Sequence, residues 1–224
     1  MGVNPLKKSV DPQLHKAGVG VIQPYSNSPK YKEIVMRKPV RILGIAGSLR
    51  GESYNRSALR AATQLLPPDA TLEVFELDGI PGFNQDQEQN PPAKVVELKR
   101  RIREVDAVLF VTPEYNYSVP GVLKNAIDWA SRPYGDSAWS EKPAAIMGAS
   151  VGAIGTARAQ YHLRQIMVFL NMFPINQPEV MIGHAATRFD KNGNLTDDAT
   201  KDFIRQLLAN LVAWTRRLQQ PQTT

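Results

Sequence analysis

The sequence predicts an α/β domain built on a five-stranded parallel sheet with helices on both faces, and three observations predict it. Five apolar runs alternate with five stretches of helical period between residues 40 and 218. The runs are apolar at nearly every position, as strands buried on both faces must be. The turns after the first, third and fourth runs are dense in small, hydroxyl, amide and Pro residues. In such sheets ligands bind outside the C-terminal ends of the strands, where strand order reverses.

The first run, Val40-Arg41-Ile42-Leu43-Gly44-Ile45-Ala46, stops at Gly47-Ser48. Asn55 then opens a helix over 55–66, with Ala58, Leu59, Ala61, Ala62, Leu65 and Leu66 at helical spacing. A strand is expected over 71–76, a helix over 93–104 and a third strand over 106–112. Pro120 stands at the first turn of the next helix, 120–131, where its missing N–H is no loss. Val122, Leu123, Ala126, Ile127, Trp129 and Ala130 form that helix's apolar face. Strand 143–149, helix 155–170, strand 179–182 and a closing helix over 197–218 complete the alternation.

A chain of 224 residues with 42% hydrophobic residues can build one full core. No run is long and apolar enough to span a bilayer, and no membrane partner is expected. Cys is absent, which excludes disulfides, thiolate clusters, Cys-bound zinc and thiol catalysis, and fits a cytoplasmic location. His15, His162 and His184 are scattered without metal-ligand spacing, so no metal is expected.

The net charge of +6 must be located before it speaks of partners. Residues 1–38 hold seven Lys or Arg against two acids, and the remainder holds twenty against nineteen. A nearly neutral body argues against nucleic acid. Residues 1–38 carry Pro5, Pro12, Pro24 and Pro29 and no sustained period, so they read as a flexible or extended arm. A single domain at 39–218 and a tail at 219–224 follow. The arm lacks the apolar region of a secretory signal and has Lys in place of the Arg of a transit peptide. Met36 as a second possible start, and an arm packed on a neighbouring subunit, are both open readings.

Three turns carry the chemistry. In the first, a strand, Gly47-Ser48-Leu49-Arg50-Gly51-Glu52-Ser53 and a helix N-terminus present unpaired N–H groups and a positive dipole end to one point. Ser48 and Ser53 add hydroxyls, Asn55 an amide, and Arg50 a fork suited to phosphate. Ser and Asn also serve as plain helix caps, but a cap needs no cation such as Arg50. The second turn, Thr112 to Gly121, is stiffened by Pro113 and Pro120, with Tyr115, Asn116 and Tyr117 offering flat surface and amides. It suits the edge of a planar heterocycle, and equally an ordinary rigid βα loop. The third, Gly148-Ala149-Ser150-Val151-Gly152-Ala153-Ile154-Gly155-Thr156, lets backbone approach a ligand, or only packs closely. Its GxxxGxxG spacing is not the dinucleotide fingerprint. A phosphate clamp, an aromatic edge and a small-residue wall together match flavin mononucleotide.

Gly47-Ser48-Leu49-Arg50, Ser53-Tyr54-Asn55, the block Pro113 to Trp129 and the Gly148-Ala149-Ser150 turn resemble the NADPH-dependent FMN reductases of flavodoxin-like fold. The branch is the one with bacterial chromate and quinone reductases, and the resemblance covers about residues 38–218. It implies a three-layer sandwich with strand order 2-1-3-4-5, bound FMN, NADPH or NADH as co-substrate, and a homodimer or homotetramer. By that resemblance Ser48, Arg50, Ser53 and Asn55, with Tyr54 among them, hold the phosphate. Pro113, Glu114, Tyr115, Asn116 and Tyr117 line the isoalloxazine, and Ser150 and Gly152 wall its other edge. Thr156 stands where relatives often carry a second Gly, and is expected to narrow the ring site.

The implied activity is FMN-dependent oxidation of NAD(P)H, with hydride passing through flavin N5 to a quinone, chromate, an azo compound or free flavin in a ping-pong sequence. No side chain need act as acid or base, because the flavin carries the chemistry; Glu114 is expected to stiffen its loop. A flavodoxin-type electron carrier and a redox-sensing flavoprotein are the alternatives. Carriers are usually strongly acidic, unlike this body. Arg158, Tyr161 and His162 read as exposed polar or subunit-contact residues, Asp128 and Trp129 as helix packing. Asp190-Lys191-Asn192-Gly193-Asn194 reads as a tight turn with Gly193 at positive φ.

Overall fold

Every residue of the central strand is buried, and the domain is layered around it. A computed structural model of the chain describes residues 38–220. The arm expected over 1–38, Met36 included, lies outside the described residues except for Lys38, as do the last four residues of the tail. The strands are β1 (Val40–Ala46), β2 (Ala70–Phe75), β3 (Ala107–Val111), β4 (Pro143–Ala149), β5 (Phe173–Pro174) and β6 (Val180–Ile182). The helices are α1 (Tyr54–Gln64), α2 (Ala93–Glu104), α3 (Gly121–Ala130), α4 (Ala157–Phe169), α5 (Ala185–Arg188) and α6 (Asp198–Leu218). All pairings are parallel and the order is β2-β1-β3-β4-β5, the flavodoxin-like arrangement expected.

One difference lies at the edge. Where a single fifth strand over 179–182 was expected, two short pieces share the flank of β4. The piece β5 pairs with Pro143 and Ala144, and β6 pairs with Met147 to Ala149. Pro174 and Pro178 have no N–H to give a ladder, so the chain leaves the sheet between them. The four-residue helix α5 and the single turn Gln85–Gln87 also lack any apolar period that would have marked them.

Alternate residues of each inner strand feed two cores. Ile42, Leu109, Val111 and Met147 face Leu59 of α1 and Ile204, Leu207 and Leu211 of α6. Leu43, Ile45, Phe110 and Ile146 face Leu98 and Ile102 of α2, Leu123 and Ile127 of α3, and Leu163 and Met167 of α4. Each such side chain contributes roughly 1.5–3 kcal/mol on burial. Trp129 is 1% exposed and its indole N–H donates to the Pro81 carbonyl at 2.8 Å, a packing role as expected. Asp128 pairs with Lys124 one helical turn away.

Gly148 sets how closely the site's turns can meet. A Cβ there would lie 2.1 Å from the Thr112 carbonyl oxygen and 2.2 Å from Thr156 Oγ1. Only a residue without a side chain lets β4 pass between the end of β3 and the start of α4.

Candidate functional site

The three turns emerge from β1, β3 and β4, which are neighbours in the sheet, and they are stitched together. Gly47 N–H donates to the Val111 carbonyl at 2.9 Å, and Thr112 N–H to that of Met147 at 2.9 Å. Ser150 N–H donates to the Ile182 carbonyl at 2.9 Å, fixing the third turn to β6.

In the first turn Ser53 caps α1, its Oγ accepting from Asn55 N–H at 3.2 Å. Ser48 and Ser53 are each 4% exposed, whereas Arg50 is exposed. Among the described residues, the N–H groups of Ser48, Leu49, Arg50, Gly51, Glu52 and Tyr54 have no protein acceptor. A run of uncommitted donors at a helix N-terminus, with two hydroxyls beside it, fits a dianionic phosphate. The Tyr54 ring turns aside to pack on Phe189, with centroids 5.5 Å apart.

Asn55 also ties two turns together. Its Nδ2 donates to the Ala149 carbonyl at 2.9 Å, and its Oδ1 accepts from Ala149 N–H at 2.8 Å. The amide bonds the backbone of β4 through one N–H and its oxygen, so the side chain joins the first turn to the third and keeps a second Nδ2 hydrogen to donate. Burial explains this: an amide 3% exposed must find partners.

The second turn is a two-residue hairpin. Tyr115 and Ser118 exchange both backbone hydrogen bonds at 3.0 Å, and Asn116 and Tyr117 both sit at positive φ, 48° and 66°. A bulky residue such as Tyr117 in this region is strained and has to be held there. The clasp comes from α4. The Glu114 carboxylate accepts from Arg158 Nε at 2.6 Å and from the N–H groups of Arg158 and Ala159 at 3.0 and 3.2 Å. It thereby caps α4, whose Thr156 makes no side-chain cap. The Arg158 guanidinium lies 3.6 Å from the centre of the Tyr117 ring, and His162 Nδ1 is 2.9 Å from Ser118 Oγ. The hairpin leaves Tyr115 and Tyr117 exposed, and the N–H groups of Glu114, Asn116 and Tyr117 have no acceptor among the described residues.

Arg158 and His162, expected to be exposed polar or subunit-contact residues, contact the 115–118 hairpin and its neighbour Glu114, and so form the clasp of that loop. A Glu inside an otherwise neutral βα turn and an Arg opening the helix after the neighbouring strand were the available signals. Tyr161 is half exposed and donates to Glu179 at 3.3 Å, and that bond and charge raise its phenol above the usual range.

In the third turn Ser150 Oγ accepts from Gly152 N–H at 3.2 Å, leaving Val151 and Ile154 exposed. Thr156 does not narrow the site. It is fully buried behind the turn, where Oγ1 accepts from Gln160 Nε2 at 3.0 Å. Gly193 has φ 75° and closes a turn on Asp190, as expected. Among the described residues no group of His, Asp or Glu has metal-ligand geometry, and no helix is long and apolar enough to cross a membrane.

A parallel sheet of this order, with uncommitted donors and a stiff aromatic loop at the C-terminal ends of its strands, has the crevice in which flavodoxin-like folds bind a nucleotide. Residues 40–187 match the model of the family described as NADPH-dependent FMN reductase, and the chain belongs to that family. It is an oxidoreductase that uses FMN, with NAD(P)H as co-substrate. It is 53% identical over 186 residues to an NAD(P)H-dependent FMN reductase of Pseudomonas aeruginosa, covering 82% of this chain and 100% of that one. It is 44% identical over 177 residues to a 2-hydroxy-1,4-benzoquinone reductase of a Burkholderia species, covering 79% and 97%. Among solved structures, the flavoenzyme NAD(P)H:(acceptor) oxidoreductase FerB of Paracoccus denitrificans superposes with a TM-score of 0.74 at 36% identity, covering 80% and 98%.

Proposed function

We propose that this protein reduces quinones with NAD(P)H by a ping-pong sequence, donor and acceptor using one open face in turn. The observation that carries the reading is the row of uncommitted N–H groups from Ser48 to Tyr54, set beside the clasped hairpin at Asn116–Tyr117. FMN bound here would supply the redox chemistry, relaying two electrons from NAD(P)H to the acceptor, with the second proton of the hydroquinone coming from solvent. Ser48, Arg50 and Ser53 and the N–H groups around them hold the phosphate. The N–H groups of Glu114, Asn116 and Tyr117, which have no acceptor among the described residues, would be the donors offered to the ring edge, where preorganised N–H groups favour the negative charge of the reduced flavin. Ser150 and Gly152 form the opposite wall.

The quinone assignment is supported by the names of the relatives at 44–47% identity, two of them a 2-hydroxy-1,4-benzoquinone reductase and a quinone reductase. Chromate, azo compounds and free flavin are further acceptors, since the exposed tyrosines leave the ring face open. The protein works as a homodimer or homotetramer in the cytoplasm. In support, α4 presents Tyr161, Val168 and Phe169 outward, the last two 80% and 76% exposed.

The test is the absorbance spectrum of the purified protein under anaerobic titration with NADPH, then NADH, then a benzoquinone. Rapid bleaching by the donor and recovery with one equivalent of quinone is the expected result. A flavin spectrum that resists both donors would make the protein a carrier or sensor.

A further inference from the structure

Most cations of the described domain are neutralised nearby. Arg56 pairs with Glu76, Arg158 with Glu114, Arg188 with Asp197 and Lys201 with Asp198. Arg50, Arg60 and Lys191 pair with no carboxylate among the described residues, yet all three line one cleft of about 340 Å³. Its volume lies at the small end of ligand pockets. The cleft runs from the outer side of the phosphate turn, at Arg50 and Gly51, over Tyr54 and Ser57 of α1 to the 190–193 turn. The cleft shares Arg50, Gly51, Glu52 and Tyr54 with the phosphate turn and extends beyond it, over Ser57 and Arg60 to the 190–193 turn, while the cradle hydroxyls of Ser48 and Ser53 do not line it.

Its walls are built and held. Arg60 Nη2 donates to Ser57 Oγ at 2.9 Å. Gly193, at φ 75°, comes so close that a Cβ would lie 2.7 Å from both of those atoms. Asp190, one of two acids at the cleft, is turned inward on its own loop, accepting from Asn192 N–H, Asn194 N–H and Asn194 Nδ2 at 2.8 to 2.9 Å. The partly buried Tyr54 ring, steadied by Phe189, offers a flat wall. Three cations without a carboxylate partner line the cleft beside an aromatic surface, with Glu52 as its remaining acid, a setting suited to a phosphate carried on a heterocycle.

We propose that this cleft binds the phosphate-bearing adenosine end of a dinucleotide. This rests on the FMN reading of the neighbouring turn. Two sources share that chemistry: the adenylate of FAD, which extends from the flavin phosphate itself, and the 2′-phosphoadenosine of NADPH. Arg50 stands between cradle and cleft and serves both phosphates; Arg60 and Lys191 serve the second alone.

The experiment is calorimetry on flavin-free protein with FMN and FAD, and on the FMN-loaded protein with NADP⁺ and NAD⁺. Wild type is compared with Lys191→Gln and with Arg60→Gln/Lys191→Gln. FMN and NAD⁺ affinities are expected to hold, while that of FAD, of NADP⁺, or of both falls roughly tenfold, as loss of a charge-assisted bond entails. A fall for FAD identifies the flavin adenylate, and a fall for NADP⁺ the donor's 2′-phosphate. If wild type and variants bind all four ligands alike, the cleft proposal is overturned and the FMN reading stands. If wild type fails to bind FMN, both fall. Lys191→Gln alone, at an exposed turn position, decides the matter should the double variant not fold.

Discussion

Asn55 and Glu114 act on the site from behind, each through backbone atoms of another turn. Asn55→Ala strips partners from both the N–H and the carbonyl of Ala149 inside a buried floor. A loss of roughly 2–4 kcal/mol is expected, read as a lower urea midpoint with unchanged slope, together with weaker FMN binding. Glu114 permits a graded test. Glu114→Gln keeps an oxygen for the Arg158 and Ala159 N–H groups and gives up only the ion pair, whereas Glu114→Ala gives up both. The Ala variant is expected to lose about 1–2 kcal/mol more than the Gln variant and to release FMN faster, by stopped-flow dilution. Equal losses would mean that the cap on α4 contributes nothing. These two residues also mark the limit of reading a site from a string of letters. The turns were legible because Gly, Ser, Pro and Tyr have local conformational meaning. The partners of Asn55 and Glu114 lie 94 and 44 residues away, and no local period announces such a pair.

Among the elements, α6 has the most explicit start signal. Asp197 accepts from Thr200 N–H at 2.8 Å and Thr200 Oγ1 at 2.5 Å, and Arg188 reaches the same oxygen at 2.6 Å. The Thr200 bonds first, then Arg188, hold its carboxyl at about 2, below the ordinary value. Because the folded value is the lower one, the stabilisation is whole above about pH 4 and is lost as pH falls toward about 2. Asp197→Ala is expected to cost about 1 kcal/mol at neutral pH. The difference in Tm between the two proteins should close across that acid window. Continuous apolar runs made β1, β3 and β4 legible, and the 3.6-residue period did the same for the long helices. The two-residue β5 was hidden because Phe173-Pro174 is too short to carry a period. Its place comes from bonds such as Phe173 N–H to the Lys142 carbonyl at 3.0 Å.

At the scale of the whole molecule, chemistry and core share an axis. The strands β1, β3 and β4 that launch the three turns are also those with the most complete burial. The edges carry the irregularities: β2 exposes Thr71, Glu73 and Val74, and the far flank is split in two. Parallel sheets tolerate polar positions at an edge but not in the centre. With FMN in excess, the site should therefore stay occupied until the domain itself opens. Loss of the bound-flavin spectrum and loss of far-ultraviolet dichroism are expected to share one midpoint in a urea titration; an earlier flavin transition would place the site on a separately melting part.

The burial of β3 from Ala107 to Val111 has a bearing on time as well as on energy. Its amides trade protons with the surrounding water only through openings close to complete unfolding, so deuterium should enter this strand last, and enter the 115–118 hairpin first. The free amides of Asn116 and Tyr117 would then exchange at once without any opening, over a foundation that retains its protons for nearly the lifetime of the native state.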